Sequence, residues 1–164
     1  MRLFVALRPP APACEHLARA LGRVADPRWH LTLAFLGEQP GAAPFAAALQ
    51  QVRSPPVSLT LSGGLTFGHR VLAVGLAGEL DQLQVLALAV RDVCRVEESR
   101  PYRPHLTLAR GRGLRVPSAL ASYQGPVWTA TELELVRSRH GEHEVLSRHP
   151  LLCPEEMDEA EEQA

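Results

Sequence analysis

Three residue types are missing outright from this 164-residue chain: lysine, asparagine and isoleucine. All 17 basic side chains are therefore arginine. The missing residues use AT-rich codons, so a GC-rich genome is the plain cause. A physical consequence follows all the same, because guanidinium forks take phosphate in bidentate fashion better than ammonium does. Cysteine is scarce too. Cys14, Cys94 and Cys153 are widely spaced, odd in number and form no Cys-x-x-Cys pair, which argues against a disulfide framework or a thiolate metal site. Cys94 reads as a core residue rather than a nucleophile. Aromatic residues make up only 5% of the chain, too few for a general single-strand stacking platform. No apolar run approaches the roughly 18 residues that a membrane span needs. The opening run Leu3–Leu7 meets Pro9-Pro10 and is too short for a signal peptide. A cytoplasmic location, away from membranes, is the expectation.

What is present describes a globular protein. Apolar residues make up 46%, and the length suits one domain or one compact two-lobed unit. The formal net charge of -1 hides an asymmetry. Glu155, Glu156, Asp158, Glu159, Glu161 and Glu162 crowd the last ten positions. Residues 1–154 then carry 17 arginines against 12 acidic residues, a balance of +5. A basic body with an acidic tail is compatible with an anionic ligand.

One pentapeptide occurs twice: His30-Leu31-Thr32-Leu33-Ala34 and His105-Leu106-Thr107-Leu108-Ala109. Polar residues alternate with leucines, the period of a strand that buries one face. A strand with Leu31 and Leu33 in a core must offer His30 and Thr32 on its other side, and the second copy does the same with His105 and Thr107.

Around these motifs the order of elements repeats. Arg2–Arg8 reads as a strand with Leu3, Val5 and Leu7 on one face and Phe4 and Ala6 on the other. A helix is expected from Pro12 to about Val24, then the first His strand, about Trp29–Leu36. A second helix is expected from Pro40 to about Val52 and a strand over Val57–Leu61. The second round runs through a strand at Val71–Leu76, a helix at Glu79–Val96 with a wide apolar face including Leu88, and a His strand at Leu106–Ala109. A short helix after Pro117, one strand over Trp128–Val136 and a last strand near Glu144–Ser147 complete it. The expected fold is α+β, duplicated and bilobal, with two mostly antiparallel sheets and outer helices related by pseudo-twofold symmetry around a central cleft. The expected unit is residues 1–153, with repeat halves of about 1–64 and 65–153, a boundary near Gly63–His69, and an acidic tail at 154–164.

Two imidazoles and two hydroxyls in one cleft suit in-line attack on a phosphodiester. One His serves as base and its twin as acid, since imidazole titrates near neutrality. The threonine hydroxyls donate to non-bridging oxygens that gain charge in the transition state. No metal and no cofactor are needed. His140 and His143 could be read as a metal fragment, but a hairpin turn explains them better. His16, His69 and His149 read as surface or turn residues. A non-catalytic RNA or nucleotide binder using the same pocket is the rival from another class.

The motif set resembles the 2H phosphoesterase superfamily, in particular its RNA 2′,3′-cyclic phosphodiesterases, historically called 2′-5′ RNA ligases. The resemblance rests on His30-Leu31-Thr32-Leu33-Ala34-Phe35-Leu36-Gly37 and on Arg103-Pro104-His105-Leu106-Thr107-Leu108-Ala109-Arg110. The opening Arg2–Leu7 and the closing Ser138-Arg139 followed by Glu144-Val145-Leu146 are weaker support. The resemblance implies metal-independent hydrolysis of RNA 2′,3′-cyclic phosphate ends, or of small cyclic nucleotides, to 2′-phosphates. It implies His30 as proton donor, His105 as proton acceptor, and Thr32, Thr107 and Arg110 as substrate-binding residues. End joining by the reverse reaction would use the same groups. A monomer with no obligate protein partner is expected. Arg110 has the wrong parity to share a straight strand face with His105, so a bulge or strand end after Ala109 is needed for that role. Arg8, where relatives often carry an acidic residue, and the short approach Ala25–Trp29 depart from the family pattern at the pocket rim.

Overall fold

The structure, a computed structural model, describes residues 1–153. The expected acidic tail lies outside the described residues. The elements are β1 (Arg2–Leu7), α1 (Ala11–Leu21), β2 (Leu31–Glu38), α2 (Ala43–Leu49), β3 (Val57–Phe67), β4 (Val71–Gly78), α3 (Leu80–Val93), β5 (Leu106–Arg110), a 3-10 turn (Ser118–Leu120), β6 (Gln124–Ala130), β7 (Glu132–Arg139) and β8 (Glu142–Pro150). The class is α+β, as expected.

The sheet arrangement differs from expectation. A single eight-stranded sheet replaces two, in the order β6-β3-β4-β5-β2-β1-β7-β8, and every pairing is antiparallel. Its middle is thin: β2 and β5 meet through one residue pair, Leu31 with Leu106. The four strands on either side of that junction come from both halves of the chain. The expected boundary near Gly63–His69 falls inside the β3–β4 hairpin, where β3 runs on through a register shift between Leu61 and Gly64.

Trp128–Val136 is two strands, not one. Trp128 and Ala130 are buried at even positions, Leu133 and Leu135 at odd ones. One straight strand cannot bury both sets. The chain breaks at Thr131, β6 pairs with β3, and β7 crosses over to β1. Helix α1 stops three residues early because Gly22 takes a left-handed conformation (φ 67) and Arg23 N–H closes on the Ala18 carbonyl at 3.0 Å. Val24 is left 87% exposed.

One face of the sheet carries the main core. Leu3, Val5 and Leu7 meet Leu31, Leu33 and Leu106, with Leu17 of α1 and Leu83, Leu86 and Val90 of α3 packed over them. The α3 contacts recur at helical spacing on a narrower stripe than expected, and Leu88 faces solvent at 57% exposure. On the opposite face Phe4, Ala6 and Val136 form a small apolar cluster, against Val145. Among the described residues no helix covers that face around His30 and His105, and there the sheet opens into a cleft.

Candidate active site

The cleft has a volume of about 820 Å³ and is lined by His30, Thr32, His105, Thr107 and Arg110 together with Arg2, Phe4, Asp26, Arg28, Phe35, Ser138 and His143. All five site residues expected from the sequence therefore line one cavity. Sheet register explains how. Leu31 and Leu106 are fully buried and face each other, so the polar residues beside them share the other face. Continuing that register, His30 falls opposite Thr107 and Thr32 opposite His105. Each motif thus brings its histidine towards the other motif's threonine.

Each imidazole is oriented by the carbonyl two residues before it. His30 Nδ1 lies 2.6 Å from the Arg28 carbonyl, and His105 Nδ1 lies 2.7 Å from that of Arg103. A carbonyl can only accept, so Nδ1 carries the proton in both rings and Nε2 is left as the reactive nitrogen. The Thr32 hydroxyl donates to His30 Nε2 at 2.9 Å. Phe4 stacks on the His30 ring (4.7 Å between centroids, 26°), and Phe67 lies 4.8 Å from the His105 ring.

Burial governs the protonation of His30. Burial pushes His30 down to about 4, opposed by its hydrogen bond to the Arg28 carbonyl, while His143 and Arg8 add to the depression. His30 is therefore neutral at physiological pH.

The parity problem of Arg110 is resolved by a bulge one residue earlier than expected. In β5, Thr107 pairs with Ala73 and Ala109 with Leu72, so Leu108 is the extra residue and Arg110, opposite Val71, returns to the cleft side. Arg8, the departure from the family pattern, holds the approach to the first motif. Its Nε donates to buried Glu134 at 2.8 Å and its terminal nitrogen to the Pro27 carbonyl at 2.5 Å. Next to it, Asp26 accepts from both the backbone (2.8 Å) and the side chain (3.0 Å) of Arg28.

His143 does not sit in the hairpin turn expected for it. The turn contains His140 (φ 51) and Gly141 (φ 76), whereas His143 lies on β8, paired with Ser138 and facing the cleft. Its ring sits edge-on to His30, 5.1 Å away and at 72°. The strand starts two residues before the expected Glu144, and extending its alternation back from Val145 would have found the position. His140 is exposed in the turn and does not share the cleft, so the pair forms no metal fragment. His149 also needs correcting: it is buried on β8 and bonded to Ser147 at 2.8 Å. His69 occupies a turn (φ 54), and His16 meets the Tyr123 hydroxyl at 2.8 Å from an exposed position. Cys14 and Cys94 form no disulfide, and Cys94 is buried as expected. Among the described residues no helix is long and apolar enough to cross a membrane.

An antiparallel sheet with paired His-x-Thr motifs on one open face defines the 2H phosphoesterase class. The comparisons agree. The profile of the 2′-5′ RNA ligase superfamily matches residues 4–142. A protein of Escherichia coli (strain K12) named RNA 2′,3′-cyclic phosphodiesterase is 36% identical over 126 residues, which cover 66% of this chain and 71% of that protein. One of the same name from Geobacillus stearothermophilus is 33% identical over 144 residues, 76% of this chain. The chain spans only 46% of the Geobacillus protein's length. Among solved structures, E. coli LigT complexed with ATP superposes with a TM-score of 0.77 at 26% identity, covering 93% of this chain and 98% of that one. TT0787 of Thermus thermophilus gives 0.73 at 27% identity, covering 94% and 100%. This chain belongs to the 2′-5′ RNA ligase superfamily.

Proposed function

We propose that this protein is a hydrolase that opens RNA 2′,3′-cyclic phosphate ends to 2′-phosphates by two-histidine acid–base catalysis, without a metal. The observation that carries this is the Leu31–Leu106 pair, which sets both His-x-Thr motifs on one cleft face. The names of the relatives support the substrate class.

In this reading His105 Nε2 takes the proton of a water whose oxygen attacks phosphorus. The bond from phosphorus to the ribose 3′ oxygen breaks, and His30 Nε2 gives its proton to that oxygen. The products are a 3′-hydroxyl and a 2′-phosphate, and solvent exchange returns the two imidazoles to their starting states. Thr32, Thr107 and Arg110 donate to the non-bridging oxygens. Acid, base and electrophilic donors are all supplied by side chains, so the chemistry asks nothing of a metal. For His30 to act as the acid it must be protonated, and the phosphate's own negative charge is what raises it from its depressed value on binding.

That depression favours a second reading, in which the roles are exchanged and neutral His30 is the base. A p-nitrophenyl phosphodiester separates the two, because its leaving group needs no proton. The variant lacking the acid keeps most of its activity on this substrate, whereas the variant lacking the base loses it on both. Assays of wild type, His30→Ala and His105→Ala, run in EDTA on a 2′,3′-cyclic-phosphate oligonucleotide and on the nitrophenyl ester, decide it. Wild-type turnover by both single variants on the oligonucleotide would overturn the proposal, and turnover abolished by EDTA would remove metal independence. Binding of the oligonucleotide by wild type with no turnover would favour the non-catalytic binder.

A further inference from the structure

Beside the two motifs, the cleft floor carries a row of polar groups that the reaction above does not use. Arg2 on β1 pairs with Ser138 on β7, and Ser138 pairs with His143 on β8. Directly paired residues of antiparallel strands project from the same face, so a guanidinium, a hydroxyl and an imidazole stand side by side across three strands. All three line the cleft. Among the described residues the buried His143 Nδ1 has no hydrogen-bond partner, which leaves Nε2 as the nitrogen that can meet a ligand.

The row is electropositive because nearby acids are engaged elsewhere. Glu38, opposite Arg2 on β2, pairs with the N-terminal ammonium at 3.3 Å. Asp26 is bound to Arg28 at 3.0 Å. Glu142 and Glu144, flanking His143, lie opposite Arg139 and Arg137 and so project from the other face. Among the described residues Arg2 makes no ion pair. Arginine, hydroxyl and imidazole donors suit a phosphate, the neighbouring carboxylates of Glu38 and Asp26 being paired with cations of their own. The position is adjacent to the chemistry, since the His143 ring is 5.1 Å from that of His30.

We infer that Arg2, Ser138 and His143 form a second phosphate subsite, filled by the phosphodiester on the 5′ side of the nucleoside whose cyclic phosphate reacts. A strand ending in a 2′,3′-cyclic phosphate has only one neighbouring phosphate, and it lies on that side. The subsite rests on the proposed reaction and narrows it: the preferred substrate is an oligonucleotide, not a nucleoside cyclic phosphate.

Three substrates test this: adenosine 2′,3′-cyclic phosphate, the same nucleoside bearing a 5′-phosphate, and the dinucleotide ApA ending in a 2′,3′-cyclic phosphate. Wild type should favour both compounds with the additional phosphate by roughly tenfold in kcat/KM. Arg2→Ala and Ser138→Ala should bring that ratio close to one, and Arg2→Lys should restore part of it. Dinucleotide affinity should also become less sensitive to salt in Arg2→Ala, because one cation–phosphate contact is gone. His143→Gln is read by the same ratio, because its ring also touches His30. Equal losses on all three substrates, no wild-type preference, or a preference that follows the second nucleoside without the 5′-phosphate would overturn the subsite while leaving the hydrolysis intact. A wild type that hydrolyses none of the three would overturn the proposed function, and the subsite with it.

Discussion

Leu33 and Leu108 occupy the same place in their two motifs: each is the extra residue of a β-bulge. In β2, Thr32 pairs with Ala6 and Ala34 with Val5, and in β5, Thr107 pairs with Ala73 and Ala109 with Leu72. The bulge follows the threonine in both copies and exchanges the faces beyond it. Phe35 and Arg110, the corresponding residues two positions further on, are thereby returned to the cleft, Phe35 with 66% of its surface exposed.

Arg110 should contribute to binding more than to turnover. Arg110→Ala is expected to raise KM about tenfold with a smaller fall in kcat, and Arg110→Lys to recover only part, since a lysine cannot fork across two oxygens. Steady-state kinetics on a cyclic-phosphate oligonucleotide checks this. An unchanged KM would leave Arg110 a bystander on the rim.

Removing either motif histidine should cost on the order of 10²–10⁴-fold in kcat, and the double variant should add little to the worse single one. Single-turnover rates on the oligonucleotide give the comparison. Additive losses would mean that the two rings do not act on the same step.

Acid should destabilise the protein through His30. An unfolded His30 takes a proton below about pH 6.5, whereas the folded one resists it until about pH 4. The unfolded state binds more protons across that window, so stability is full above it and is lost as pH falls through it. The full effect of His30 is on the order of 3 kcal/mol. Burial also holds down His143 and His149, which act with the same sign. Urea midpoints between pH 7.5 and 4, with NMR titration of the ring protons, measure it. A His30 midpoint near 6.5 would contradict the burial argument.

Arg8→Ala should reach the active site through the loop. It strips Glu134, a side chain 4% exposed, of its 2.8 Å partner and leaves the longer contact with Arg148 at 3.4 Å. It also frees the Pro27 carbonyl, one residue before the Arg28 carbonyl that orients His30. A loss of about 1–3 kcal/mol in stability is expected, with a lower kcat at unchanged KM. Denaturant melts and kinetics on the same preparation show whether both effects occur.

Gly78→Ala should destabilise by roughly 1–3 kcal/mol without touching the cleft. Gly78 has φ 108, and a Cβ there would come within 2.6 Å of the Ser58 carbonyl oxygen and 3.1 Å of Leu59 Cα. Both are backbone atoms of β3, pinned where the Ser58 N–H donates to Glu79 at 2.7 Å. A thermal melt checks it, and an unchanged midpoint would mean that the hairpin end yields freely.

Much of this was written into local pattern. Alternation along His30–Ala34 and His105–Ala109 is enough to fix which side chains are buried and which are offered, because a strand's period is set by its own backbone. The exclusion of disulfide and thiolate-metal frameworks needed only three scattered cysteines. What the sequence could not supply was every feature set by which strand lies beside which. Pairing register, not local pattern, joined one sheet through Leu31 and Leu106, sent β7 across to β1, and moved Leu33 and Leu108 out of the ladder so that Arg110 came round. His143 is the plainest case. It is 113 residues from His30, and its contact with that ring exists only because β8 pairs with β7 and β7 with β1. Hydrogen bonding between distant strands decides such neighbours, and no short stretch of sequence carries that information.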